Sequence, residues 1–117
     1  MLSEEHLAGL EEALRQGGGM HDIEHVLSAV TQHRAQLWVE GPNAMVTEVI
    51  VGPKEKGLHF WIATGTLDGC IALSNKVMDW GREVGCTVAS LTGRPGWARA
   101  LAHEGWEHRM VEMGRRL

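Results

Sequence analysis

The chain of 117 residues has no tyrosine, one phenylalanine, three prolines and two cysteines. Without tyrosine there is no phenol to serve as a general acid. Two cysteines cannot build a disulfide framework. Cys70 and Cys86 sit in apolar contexts and read as reduced core thiols of an intracellular protein. No apolar run is long enough to cross a bilayer, so no membrane association is expected. The start, Ser3-Glu4-Glu5, is acidic, unlike a secretory leader. Basic excess is missing too: the net charge is −4, which argues against a nucleic-acid partner. Arg109, Arg115 and Arg116 make a locally basic end that reads as a solvated edge. No internal repeat is present, and Gly17-Gly18-Gly19 is the one low-complexity tract.

What is present is alternation between two periods. Ser3 caps a helix to Gln16, with Glu4 and Glu5 suiting its positive end and Leu7, Leu10 and Leu14 on one stripe. The three glycines stop it. This divides the chain into a helix-and-linker segment, 1–19, and a domain, 20–117. The first helix then packs either on a partner or on its own domain. A second helix spans about His21 to His33, with Met20, Ile23, Leu27 and Val30 on one face.

The period then changes to two. Gln36–Glu40, Ala44–Val51 and Leu58–Thr64 read as strands joined by the short turns Gly41-Pro42-Asn43 and Gly52–Gly57. These make an antiparallel meander whose middle strand is apolar on both faces. A long helix follows, with Asp68 as its expected N-cap, a stripe of Cys70, Leu73, Val77, Trp80/Gly81 and Val84, and Gly85 past its end. Thr87–Leu91 reads as a fourth strand, parallel to the third because a helix joins them. Pro95 opens a short helix, Gly96–His103, and Trp106 to Met113 is expected to return as an edge strand. The stretch Gly85–Trp106 thus holds helix, strand, helix and strand in succession, which points to an α/β (α+β) domain.

Three constellations invite chemistry. His21-Asp22-Ile23-Glu24-His25 has the H-x-x-E-H spacing of a zinc protease, but it opens a short helix in a chain too small for such a domain, and an exposed helix start is the preferred reading. No metal is expected. The five tryptophans are dispersed and lack interleaved basic residues, which favours core packing over base stacking. Gly93-Arg94-Pro95-Gly96 is either a phosphate-binding turn with Arg94 as anion partner or, as preferred, a plain strand-to-helix turn with Arg94 on a surface carboxylate.

The order of elements resembles the acyl-CoA N-acyltransferase (GNAT) fold in shortened form, and within it the small GNAT-like proteins of tailed bacteriophages. The resemblance is carried by Gln36-Leu37-Trp38, Val46-Thr47-Glu48-Val49-Ile50, Leu58-His59-Phe60-Trp61-Ile62, Gly85-Cys86, Gly93-Arg94-Pro95-Gly96-Trp97 and Val111-Glu112-Met113. It implies a mixed, mostly antiparallel sheet with helices on both faces and a splay near the third and fourth strands. It implies acetyl-CoA as cofactor if the chain is an enzyme, held by Gly65, Thr66, Gly69 and Arg94, with Glu48 or His59 as the base that deprotonates an amine. The family's phosphate loop, Q/R-x-x-G-x-G/A, is altered here to Thr64-Gly65-Thr66-Leu67-Asp68-Gly69. Asp68 stands where an anion would sit, and the family's late tyrosine is missing. These departures favour a protein without a cofactor that works by protein–protein contact, a virion or assembly component of host cytoplasm or virion. Its partners would be other phage proteins or a second copy, met through the helix bearing Leu7, Leu10 and Leu14.

Overall fold

In a computed structural model, which describes residues 2–17 and 19–117, the chain opens with two helices, α1 (Glu4–Gln16) and α2 (Ile23–Thr31). Both begin with the same device. Ser3 Oγ accepts from the His6 amide at 3.1 Å, and His6 Nδ1 accepts from the Ser3 amide at 2.9 Å. Asp22 and His25 repeat the reciprocal pair at the start of α2. A histidine ring closes each capping box where a Glu or Gln would be usual. His6 goes further: its Nε2 meets the Gly41 carbonyl at 2.7 Å, tying α1 to the far side of the sheet turn. Met20, expected on the buried stripe of the second helix, lies before α2 and is 86% exposed. Val26 and Ala29 form the most deeply buried part of that helix.

Four strands follow in spatial order β1-β2-β3-β4: β1 (Gln36–Glu40), β2 (Asn43–Val51), β3 (Lys56–Thr64) and β4 (Val88–Leu91). The first three form the antiparallel meander, and β4 lies parallel to β3, joined to it by α3 (Leu67–Glu83). The sheet separates two cores. Leu10 and Leu14 of α1 and Val26 and Ala29 of α2 pack on Ala44, Val46 and Ile62. On the opposite face, Cys70, Leu73 and Val77 of α3 pack on Met45, Leu58 and Phe60. Both cysteines are free and buried. Cross-sheet register puts Val46 opposite Ile62 and Thr47 opposite Phe60, so Trp61 is an extra residue in β3. This bulge turns both Trp61 and Ile62 toward α1 and α2.

The N-cap of α3 is Thr66, not Asp68: Thr66 Oγ1 accepts from the Gly69 amide at 3.1 Å, and Asp68 lies inside the first turn. Gly81 permits close contact with β3, since a Cβ there would come within 2.9 Å of Leu58 Cδ2. After β4 come α4 (Gly96–Ala100), shorter than the expected helix to His103, and a single 3-10 turn, Ala102–Glu104. The expected strand from Trp106 to Met113 does not form. Gly105 adopts a left-handed φ of 83°, and Trp106 turns back edge-on to Phe60 at 5.9 Å between ring centroids. The chain beyond is thereby led off the sheet, with Met110 and Met113 almost fully exposed.

Of the two placements open to the first helix, the structure shows the second. Leu10 is fully buried and Leu14 nearly so, in the same core as α2 and the sheet, while Leu7 is half-buried. The stripe is therefore largely occupied within the chain. Leu10→Ala is expected to cost about 2–5 kcal/mol in urea unfolding, and Leu7→Ala clearly less. Equal, small effects would place α1 outside the core.

Candidate functional site

Strand register assembles a polar row across the sheet. Glu48 of β2 is the cross-strand partner of His59 in β3, and His59 is the partner of Ser90 in β4. His59 Nδ1 and Ser90 Oγ are 2.8 Å apart. Because Leu58 and Phe60 face α3, alternation puts His59 on the other side, and the row with it. Helices α1 and α2 cover the upper part of that side, over Ala44, Val46 and Ile62. Lower down the face is open: Ser90 is exposed, and so are Ile50 and Val88 of the next row. The structure thus brings Glu48 and His59 together, as the two expected bases. It adds Ser90, which the sequence did not single out.

One step above this row the sheet opens. β3 and β4 pair only from Gly57–Val88 to Phe60–Leu91, and β3 then runs on through Trp61–Thr64 with no neighbour on that edge. This is the expected splay. Trp97 and Trp106 pack on the α3 side of its base, against Phe60 and Leu91.

The loop at the top of β3 holds three of the expected cofactor residues, Gly65, Thr66 and Gly69, and here a side chain is the organising group. Asn43, 7% exposed, accepts the Thr66 amide on Oδ1 at 3.0 Å. A Cβ on Gly65 would lie 2.2 Å from Asn43 Oδ1, and one on Gly69 would lie 2.3 Å from its Nδ2. Both glycines leave room for Asn43, and Gly65 also has a φ of 133°. The Gly69 amide is taken by Thr66 Oγ1. Asp68 is exposed in the first turn of α3, where its charge complements the helix dipole. Arg94, the fourth expected residue, sits in the turn between β4 and α4. Its charge is felt at Glu12 of α1, whose carboxyl is held below the usual range chiefly by its hydrogen bond and ion pair with Arg15.

Burial pushes the His59 imidazole below its ordinary value of 6.5, and the Glu48 carboxylate partly opposes this. Burial raises the Cys70 thiol, whose Sγ donates to the Thr64 carbonyl at 3.5 Å. In the H-x-x-E-H segment, the His21 ring stands edge-on to Trp61, and His25 serves the helix cap. Among the described residues, no three His, Cys, Asp or Glu side chains converge as metal ligands, and no helix is long and apolar enough to cross a membrane. A shallow depression of about 440 Å3 runs along α1, lined by Glu4, Leu7, Ala8, Glu11 and Arg15, and it includes none of the row.

This architecture, a mixed four-stranded sheet opening between β3 and β4 with helices on both faces, is a shortened GNAT fold. A Thermus thermophilus protein of known structure aligns with TM-score 0.65 at 16% identity, over 98% of this chain and 92% of that one. An acetyltransferase from Trypanosoma brucei aligns with TM-score 0.64 at 12% identity, over 99% and 96%. An aminoglycoside acetyltransferase from an uncultured soil metagenomic sample, solved in complex with sisomicin, does so with TM-score 0.64 at 12% identity, over 94% and 87%. At these identities the likeness is one of fold. No family model and no curated protein matches the sequence.

Two measurements test the site's geometry. Asn43→Ala strands the Thr66 amide and is expected to cost about 1–3 kcal/mol in urea unfolding, with faster hydrogen exchange at Thr66. Unchanged exchange there would remove Asn43 from its role. Followed by NMR, His59 is expected to titrate below 6.5, and Glu48→Gln to lower its midpoint further. A lowered imidazole value means that the unfolded chain binds the proton more tightly. The His59 contribution to stability is therefore complete above 6.5 and is lost as the pH falls toward the folded value.

Proposed function

We propose that the chain is a GNAT-fold protein that acts by protein contact, as a phage virion or assembly component, rather than by coenzyme A-dependent transfer. The packing of Asn43 into the β3–α3 loop carries this reading. A pyrophosphate in this fold needs glycine amides free to converge on it. Here the Thr66 amide donates to Asn43 and the Gly69 amide to Thr66, while Asn43 occupies the space beside both glycines. Asp68 adds a repelling carboxylate. The residues of this loop do not fit the phosphates of coenzyme A. Contact surface is available elsewhere: Ile50 and Val88, on the open face of the sheet, are 51% and 37% exposed.

A second reading, an N-acyltransferase, is favoured by the pairing of Glu48 with His59 directly below the splay. A His59 imidazole kept neutral by burial is suited to take the proton of an attacking amine, and Glu48 steadies the charge that results. Two of the structural neighbours are acetyltransferases by name.

Calorimetry with acetyl-CoA separates the readings. Neither the natural chain nor Asp68→Gly is expected to bind it. Micromolar binding by the natural chain would overturn the contact reading and establish the second.

A further inference from the structure

Ser90 enters neither reading, yet it is the best-placed hydroxyl in the molecule. It lies on β4 at the outer margin of the sheet, exposed, with its Oγ 2.8 Å from His59 Nδ1. Glu48 stands on the far side of His59 in the same row, where cross-strand side chains approach within about 5 Å at Cβ. Three strands therefore present hydroxyl, imidazole and carboxylate in line: the hydroxyl is within hydrogen-bond distance of the imidazole, and the carboxylate, not hydrogen-bonded to the ring, acts on it through its charge. The row faces the open part of the sheet, so a ligand can reach it without moving a helix.

The next row down gives the site a floor. Ile50 and Val88 are the register partners of Gly57 on its two sides, on the same face about 7 Å below. Gly57 carries no side chain, and a Cβ there would meet Val88 Cγ2 at 3.5 Å. Gly57 adds no bulk between Ile50 and Val88, both exposed, and this apolar strip is suited to a short acyl chain or a flat aromatic leaving group. Charged donors find no cation in either row.

We propose that Ser90 is a nucleophile that accepts an acyl group from small activated esters or thioesters, with His59 as its base and Glu48 as the positioning carboxylate behind His59. The Oγ–acyl bond forms as the acyl–oxygen or acyl–sulfur bond breaks, and the leaving group departs with that electron pair. The Ser90 proton passes to His59 Nδ1. His59 gives that proton up to the departing group or to solvent. Water then attacks the acyl-serine and passes one proton to His59, the acyl–Oγ bond breaks, His59 returns the proton to Ser90 Oγ, and the carboxylic acid leaves. The chemistry goes beyond both functional readings because it needs no grip on a nucleotide, so it holds or fails independently of acetyl-CoA binding.

The full chain is treated with p-nitrophenyl acetate, nitrophenolate release is followed by absorbance, and the acetylated residue is located by mass spectrometry. One acetyl group on Ser90 is expected. Ser90→Ala is expected to abolish it, and Ser90→Cys, which keeps a nucleophile, to restore labelling at the same position. His59→Gln is expected to slow labelling about 100-fold. Glu48→Gln is expected to slow it several-fold and to lower the NMR midpoint of His59; an unchanged labelling rate beside a lowered midpoint would remove Glu48 from the acylation step. Labelling confined to lysines or the amino terminus, or labelling of Ser90 at an unchanged rate in His59→Gln, overturns the assignment.

Discussion

One buried amide holds the upper end of this molecule together. Asn43 begins β2, and its side chain crosses to the start of α3, where its oxygen takes the Thr66 amide. The β1–β2 turn on which Asn43 stands is also tied to α1, through the His6 ring on the Gly41 carbonyl. Three elements distant in sequence thus meet at a single turn. A buried amide left without partners would cost about 1–3 kcal/mol, so the geometry around Asn43 is closely constrained. Two glycines, Gly65 and Gly69, are the consequence, because any side chain at either position would enter its space.

That constraint also bears on how the fold can be used. A phosphate loop and a packed loop look alike in sequence, since both need glycines beside a helix N-terminus. They differ in what fills the concavity. In a phosphate loop the amides wait for a ligand, whereas here the Asn43 side chain lies against both glycines and accepts the Thr66 amide. The fold alone cannot distinguish these cases, because one scaffold hosts many functions. Only the atoms differ. Asn43 fills the loop, while the polar row beneath the splay keeps its groups and its access to solvent.

Much of this was legible in the residues. The meander, the parallel fourth strand, the central strand apolar on both faces and the capping role of Ser3 all follow from local rules, and the structure has them. Glu48 and His59 were visible as candidates because polar groups interrupt apolar strands. Ser90 was not, since its value comes only from the β3–β4 register, which no local pattern encodes. Asn43 read as a turn residue. The four-residue spacing of Gly65 and Gly69 was the available sign that something bulky sits beside them. The tail was misread because Val111 and Met113 alternate like a strand, while the edge they needed lies out of reach once Trp106 has turned onto Phe60.

The bulge in β3 explains why one strand can serve both helical layers. Without an extra residue, Ile62 and Thr64 would follow Leu58 and Phe60 onto the α3 side. The inserted Trp61 reverses the phase, so Ile62 joins Leu10 and Val26, and Thr64 faces α1. There Gly9 allows contact so close that a Cβ would come within 2.7 Å of the Thr64 Cβ. Helix α1 can settle against the end of β3 only because the strand changes phase there and the helix has a glycine to receive it. Below the bulge the original phase persists, which aims His59 at the open face rather than into the α3 core. The residue that looks redundant in the strand is thus what allows a covered upper half and an accessible lower half on the same side of one sheet.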